Sequence, residues 1–477
     1  MKIYAWITAA ALLALPLTAT ETATAPAPAT AATESDNAEL EAQLAELKQK
    51  AESGDTAATQ QVYTRYALEG LTEQARTWAA RYEQQLISKG ESGDAKAMML
   101  LASAYLRGQD YMPYNPAEAV RWFSRAAEAG QPSAAYILGE IFMQQGNTAE
   151  AKKFYKQAYD AYAKLTAEIS GEPTTPQRNA LYWQGYMQLM GIGTEQNTAA
   201  GIERLKSADI AWAWSQLYKC YIKGMGVEKD LSQAIAYARK LADEAGDGMM
   251  AWVTATAYLK GEGAPKDEAL GRQYLEKAAQ ANIAQAIHHK GTLLLAEGKA
   301  KEAYDCFDQA ASMGLPESMT AAAKLLLHGA EGVEKDEALA LTKLQEASDV
   351  YNDPRAPYEL GLYYDAAGEP ELANNWYRIA SERGVVEAMA RRGLLHITPN
   401  SGVSWSPTQM YRWWRTGSDA GDATCSLYLN LFLFVFIPVV LILAFGVPIA
   451  VVHVLNKRAL QEEAQANEEQ PDKPADK

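Results

Sequence analysis

The sequence predicts an all-α protein: an α-solenoid, built as a superhelix of stacked antiparallel helix pairs, followed by one transmembrane helix. Three observations predict it. Apolar residues recur at helical spacing, and no long stretch alternates apolar with polar as strands do. A Gly-Asp signal returns roughly every thirty-six residues, a period typical of helical repeats. Near the C-terminus, Leu427 to Leu455 carries no charged residue, and about 20 apolar residues suffice to span a bilayer.

The N-terminus comes first in chain order. Met1-Lys2 precedes an apolar run from Ile7 to Leu17 and then small residues, which is the layout of a secretory signal peptide over residues 1–25, with cleavage after Ala19 or Ala25. Residues 26–36 are too poor in apolar side chains to bury a core and read as a disordered tether. Asp36 is an expected cap for an N-terminal helix over residues 37–53, in which Leu40, Leu44 and Leu47 share a face.

Residues 54–421 read as about ten units. Gly54-Asp55, Gly93-Asp94, Gly246-Asp247 and Gly421-Asp422 mark unit ends, with Gly130-Gln131 as a relative; other ends fall near Glu172, Ile210, Asn282, Gly314, Val350 and Gly384. Within units a second signature returns: Gly224-Met-Gly226-Val-Glu-Lys-Asp230 is echoed by Gly261-Glu-Gly263-Ala-Pro-Lys-Asp267, by Gly191-Ile-Gly193-Thr-Glu-Gln-Asn197 and, stretched, by Gly329-Ala-Glu-Gly332-Val-Glu-Lys-Asp336. The first glycine suits the left-handed end of one helix, and the Asp or Asn suits the N-cap of the next, with capping-box spacing from Asp230 to Gln233. Each unit is therefore helix, tight turn, helix. The second helices repeat small and aromatic residues at matching offsets, and these are expected core: Ala119, Trp122 and Ala126; Ala234 and Tyr237; Gly271, Tyr274 and Ala278; Ala373, Trp376 and Ala380.

This combination resembles the Sel-one-like repeat, a relative of the tetratricopeptide repeat. The resemblance is strong at residues 191–282 and 324–349 and looser where the loop shortens, at Gly146–Ala151, Gly298–Ala303 and Gly368–Ala373, which look closer to tetratricopeptide repeats. The resemblance implies a scaffold or adaptor that holds other proteins, with envelope or polysaccharide machinery among the partners it suggests. Exported members of such families often staple a unit with a disulfide, but here no unit has two cysteines.

Composition and motifs exclude much else. A formal net charge of -15 without a Lys/Arg cluster argues against nucleic acid as a partner. Cys220, Cys306 and Cys425 fit no metal or redox spacing and read as small core residues. Of the histidines, only His288 and His289 are adjacent, and they point about 100° apart on a helix, so they read as polar surface and not as metal ligands. No G-x-S-x-G elbow, phosphate loop or Ser-x-x-Lys occurs, so neither a catalytic residue nor a cofactor is expected.

Surface remains. The inner face of such an array is lined by the first helix of each unit, and the expected binding residues there are Tyr105, Tyr136, Trp183, Tyr218, Trp252, Tyr258, Tyr358 and Tyr363, each with a rival reading as packing. The last unit starts at Ser406-Pro407. The segment after Gly421-Asp422 opens like another first helix but becomes the span, residues 427–455, so the array runs into the bilayer almost without a linker. Trp405, Trp413, Trp414 and Tyr428 are expected membrane-interface anchors, although Trp413 and Trp414 also match the repeat-core aromatics Trp122 and Trp376. With an exported N-terminus the repeats face outside the cytoplasm, and the acidic tail, residues 456–477, faces in. A hydrolase whose catalytic cluster forms across units, or a mechanical spacer, are the alternatives to an adaptor.

Overall fold

The computed structural model describes residues 34–108, 113–397, 404–440, 454 and 457. The expected signal peptide lies outside the described residues, as do nearly all of the tether, the second half of the expected span and the acidic tail. Two compact units divide the chain, Met1–Gly246 with Gly261–Pro265, and Asp247–Lys260 with Lys266–Lys477. Both are helical, and no strand occurs among the described residues.

In the first unit α1 (Glu34–Glu52) precedes five antiparallel pairs: α2 (Thr56–Leu68) with α3 (Thr72–Glu91), α4 (Ala95–Arg107) with α5 (Pro116–Glu128), α6 (Pro132–Gln144) with α7 (Thr148–Ala167), α8 (Thr175–Met190) with α9 (Thr198–Ala208), and α10 (Ala211–Lys223) with α11 (Leu231–Glu244). The second unit holds five more: α12 (Gly248–Lys260) with α13 (Glu268–Gln280), α14 (Ala284–Ala296) with α15 (Ala300–Ser312), α16 (Pro316–His328) with α17 (Glu337–Asp349), α18 (Ala356–Ala366) with α19 (Pro370–Glu382), and α20 (Val386–Leu395) with α21 (Pro407–Asp419). It closes with α22 (Ala423–Leu431), which continues through a π-helical turn at Phe432–Phe436. The helical stretch Ala423–Val440 is long and apolar enough to cross a membrane. In each pair the first helix is termed A and the second B.

Local chemistry sets these boundaries. Asp94 accepts from the Lys96 and Ala97 amides, Asn197 from Ala200 and Asp267 from Leu270, so each offsets donors that a helix start leaves unpaired. Asp230 caps α11 through the Ser232 and Gln233 amides, whereas the reciprocal capping box forms at Thr174 and Gln177, where the Gln177 side chain accepts from the Thr174 amide. The first helix begins at Glu34, ahead of Asp36, so Asp36 lies inside it and does not cap it. B helices end on a left-handed residue that is usually glycine, but Asp209, Asn282 and Asn352 fill the role at φ 45°, 56° and 57°. Short polar side chains tolerate that conformation best among non-glycine residues.

The core is a small–large–small ladder on most B helices. Ala119, Phe123 and Ala126 are all buried, and so are Ala303, Phe307 and Ala310, and Ala373, Tyr377 and Ala380. The i, i+4, i+7 spacing keeps them on one face. At three such rings a glycine on the A helix makes room: a Cβ on Gly361 would lie 2.5 Å from Tyr377, one on Gly291 2.8 Å from Phe307, and one on Gly139 would collide with Tyr155. In α19 the fully buried aromatic is therefore Tyr377, and Trp376, the residue expected from the sequence, is only half-buried. Tyr237 is likewise half-buried, stacked 5.9 Å from Tyr221. Cys220 and Cys425 are fully buried, but Cys306 is half-exposed at a helix edge, so it is not the core residue the sequence suggested.

The second glycine of each A–B loop has a separate cause. Gly193 and Gly263 have φ of 68° and 77°, and each loop lies on the B helix of the preceding repeat: a Cβ on Gly193 would overlap the Tyr155 carbonyl, and one on Gly263 would lie 2.9 Å from the Leu231 carbonyl oxygen. Backbone-to-backbone approach at that distance admits no side chain. The Gly193 loop thereby holds two consecutive repeats of the first unit in register.

Candidate functional site

A helices carry the aromatic residues expected to line a binding face, and in the first unit some converge. On α6, Tyr136 is buried with its ring 5.6 Å from Tyr155 and 4.8 Å from Trp183 of α8. Trp183 is half-buried; it meets Tyr182 edge-on at 5.3 Å and Tyr186 at 6.1 Å, and Tyr162 of α7 stacks against it at 6.3 Å. The Tyr155 hydroxyl donates to Glu140 at 2.6 Å. Burial raises the phenol pKa throughout the cluster, pushing Tyr182 up to about 12, and the Glu140 carboxylate adds to the rise at Tyr136, Tyr155 and Tyr186. These hydroxyls stay protonated at neutral pH. The outer part is a shelf of Tyr182, Trp183 and Tyr186, all half-buried, the two tyrosines stacked at 6.3 Å. Of the three, the sequence points only to Trp183. The i, i+4 spacing of Tyr182 and Tyr186 was the available signal, because it puts two rings side by side on a helix.

The other expected liners of this unit stand apart from that cluster. Tyr105 is buried on α4, its hydroxyl donating to Glu83 at 2.5 Å, so it packs between helices and offers little open surface. Tyr218 is half-buried on α10.

In the second unit the expected residues are scattered along the A helices. Trp252 is half-buried with its ring 5.7 Å from His289, and Tyr258 stacks on Tyr274 at 6.1 Å. Tyr363 donates to Glu337 at 3.1 Å; Glu337 is also on the wall of a groove of about 480 Å³ that contains Tyr304, Lys301 and Lys335. Tyr358 rests 5.9 Å from Tyr377 and lines a smaller groove, about 230 Å³, with Glu387, Arg391, Asp422 and Tyr428. That groove unites one expected binding residue with one expected anchor.

The two central histidines are not surface residues. His288 Nδ1 is 2.8 Å from the buried Ser318 hydroxyl and its ring lies 5.3 Å from Phe307, while His289 packs edge-on against Trp252. Both belong to helix packing, and burial lowers the pKa of each. Among the described residues, no group of His, Cys, Asp and Glu is placed to hold a metal ion.

Of the expected anchors, Trp405 is 61% exposed ahead of α21. Trp413 is half-buried beneath Arg392, whose guanidinium lies 3.8 Å from the ring centre; burial pushes that arginine down to about 10. Trp414 is buried, donates to the Ala390 carbonyl at 3.3 Å and has Tyr428 5.6 Å away.

Eight matches to the Sel1 repeat cover residues 95–131, 132–162, 178–203, 211–245, 250–283, 279–315, 316–347 and 355–385, over half of the chain. The chain belongs to the Sel1 repeat family. The matches take in the short-loop units at residues 146, 298 and 368 as well, and leave α1 to α3 and α20 to α22 outside. A curated relative, chitin synthase regulatory factor 4 of Schizosaccharomyces pombe, is 26% identical over 317 residues, 64% of this chain; the match spans 44% of that protein's length. Among solved structures, c5321, a protective antigen present in uropathogenic Escherichia coli strains and displaying an SLR fold, superposes with a TM-score of 0.57 at 22% identity, covering 91% of this chain and 99% of the other. A Sel1 repeat protein from Oxalobacter formigenes gives a TM-score of 0.43 at 20% identity, over 72% and 97% of the two chains. The Sel1 array is a scaffold fold of the kind that binds other proteins and is typically without catalysis of its own.

Proposed function

We propose that this chain is a membrane-anchored adaptor whose repeats recruit other proteins at the extracytoplasmic face of a membrane. The observation that carries the reading is the Sel1 array itself, with a half-buried shelf of Tyr182, Trp183 and Tyr186 on one A helix. Aromatic residues suit such a role, since they offer large contact area at small rotamer cost. The anchor is the apolar helix that starts at Ala423, and the exported orientation follows from the signal-like residues 1–25. A relative named as a regulatory factor of a polysaccharide synthase makes envelope or polysaccharide machinery the favoured class of partner.

A photo-reactive residue at Tyr186 of the full chain, expressed in its own cells, tests this. One or a few discrete cross-linked proteins are expected, and their yield should fall at least tenfold when Tyr182→Ala and Trp183→Ala are added. Cross-links no different from those made by a probe at Lys152, on an exposed part of α7, would defeat the adaptor reading.

A further inference from the structure

We propose that the bilayer surface meets this chain at the level of Trp405 and Pro438, so that the first four turns of the apolar helix belong to the last repeat and only the remainder spans the membrane. The proposal rests on the membrane reading above and fixes where the array sits on the lipid.

The apolar stretch from Leu427 to Leu455 is longer than a span requires: at 1.5 Å per residue it would extend about 43 Å, against a hydrocarbon core of about 30 Å. Packing of the last repeat shows which part is in excess. Cys425, Leu429 and Phe432 are buried against Ala390, Met410 and Trp414, as an A helix is buried in any other repeat. The antiparallel register is readable from contacts. Gly417 abuts Cys425, and the Trp414 ring lies 5.6 Å from Tyr428 and 5.7 Å from Phe432. Continuing that pairing sets Arg415 and Arg412 abreast of residues 427–434, and Trp405 abreast of residues 437–440.

The charges then decide. Arg412 is exposed on α21, and Arg391 is exposed on α20 beside Tyr428. If the hydrocarbon began at Leu427, those charges would be immersed with it, which membrane helices avoid unless the charge is paired or faces water. Placing the surface at Trp405 removes the conflict. That residue is the most exposed tryptophan of the second unit's described residues, and an indole with one apolar and one polar edge favours the headgroup level. Residues 439 to 455 remain for the span, 17 residues by sequence, a number within the accepted range for a helix that crosses a bilayer. The partner of the Trp405 edge is thus a phospholipid surface.

The full chain in sealed phosphatidylcholine vesicles, repeats outward, tests the level. Single variants Leu427→Cys, Leu431→Cys and Leu443→Cys are treated with a membrane-impermeant maleimide, the parent chain giving the background from its own cysteines. Leu427 and Leu431 are 55% and 48% exposed, so both should label at least tenfold faster than Leu443→Cys. Protection of Leu431→Cys to the same degree as Leu443→Cys would overturn the proposal and leave the anchor intact. Rapid labelling of all three would defeat the membrane reading itself. In vesicles with brominated acyl chains, Trp405→Phe should remove most of the tryptophan quenching; unchanged quenching would show that Trp405 is not at the lipid.

Discussion

Glycine does two different jobs at the residue scale, and a pair of substitutions separates them. Gly130 has φ 86° with open space where a Cβ would go, whereas Gly193 has φ 68° and its Cβ would overlap the Tyr155 carbonyl. Gly130→Ala incurs backbone strain alone, about 1–2 kcal/mol. Gly193→Ala adds overpacking, for a total of about 2–5 kcal/mol. Denaturant unfolding followed by circular dichroism would rank them; equal losses would mean that the loop does not rest on the preceding repeat. Residue-scale legibility follows the same division. The left-handed glycines are readable because a helix that ends on a left-handed residue favours glycine there wherever it occurs. Room for a ring is not, since Gly361 and Tyr377 meet only once both helices are folded, and for the same reason Trp376 and Tyr377 were exchanged as core and edge.

Helix pairs are the units of cooperation at the scale of elements, and α14 is where one becomes pH-sensitive. His288 and His289 both lose pKa chiefly to burial; Glu317 partly opposes this for His288, while Lys260 reinforces it for His289. The sign follows from linkage. A folded pKa below the unfolded value of about 6.5 means that the neutral ring is favoured in the fold, so the contribution is intact above pH 6.5 and is lost as pH falls through the depressed folded value. Amide protection in α14 and α16, corrected for the intrinsic exchange rate at each pH, should therefore weaken between pH 7 and pH 5 relative to α6 and α7. Replacing His288 with Gln, which keeps a bond to the Ser318 hydroxyl available, should flatten the change; an unaltered pH response in that variant would remove His288 from the account. Caps belong to this scale too. Asp267 accepts from the Leu270 amide at 3.0 Å, so Asp267→Ala should cost about 1 kcal/mol, and Asp267→Asn very little.

A chain of stacked pairs spreads its stability over nearest neighbours, so at the scale of the whole molecule neither end is essential to the fold of the other. Helices, turns and the repeat period were all legible, because each is encoded within one repeat and then restated. The aromatic shelf is half-legible: Trp183 stands out by type, but Tyr182 and Tyr186 acquire their role only around Trp183, which itself packs on Tyr136 of another repeat. In the membrane-anchored reading proposed above, orientation across the bilayer is encoded least locally of all. Arg412 and Arg415 before the span balance Lys457 and Arg458 after it, so the positive-inside bias is nearly cancelled and the signal-like N-terminus must decide. Protease added to intact cells or spheroplasts should then digest the repeats without lysis and leave a C-terminal fragment of the span and tail. Neutralising Lys457 and Arg458 to Ser should leave that pattern unchanged, because a leader that has already exported the chain fixes the topology before the span is reached. Removing residues 2–25 should instead protect the repeats. Protected repeats in the parent chain would place the array in the cytoplasm, with the Trp405 edge on the inner leaflet.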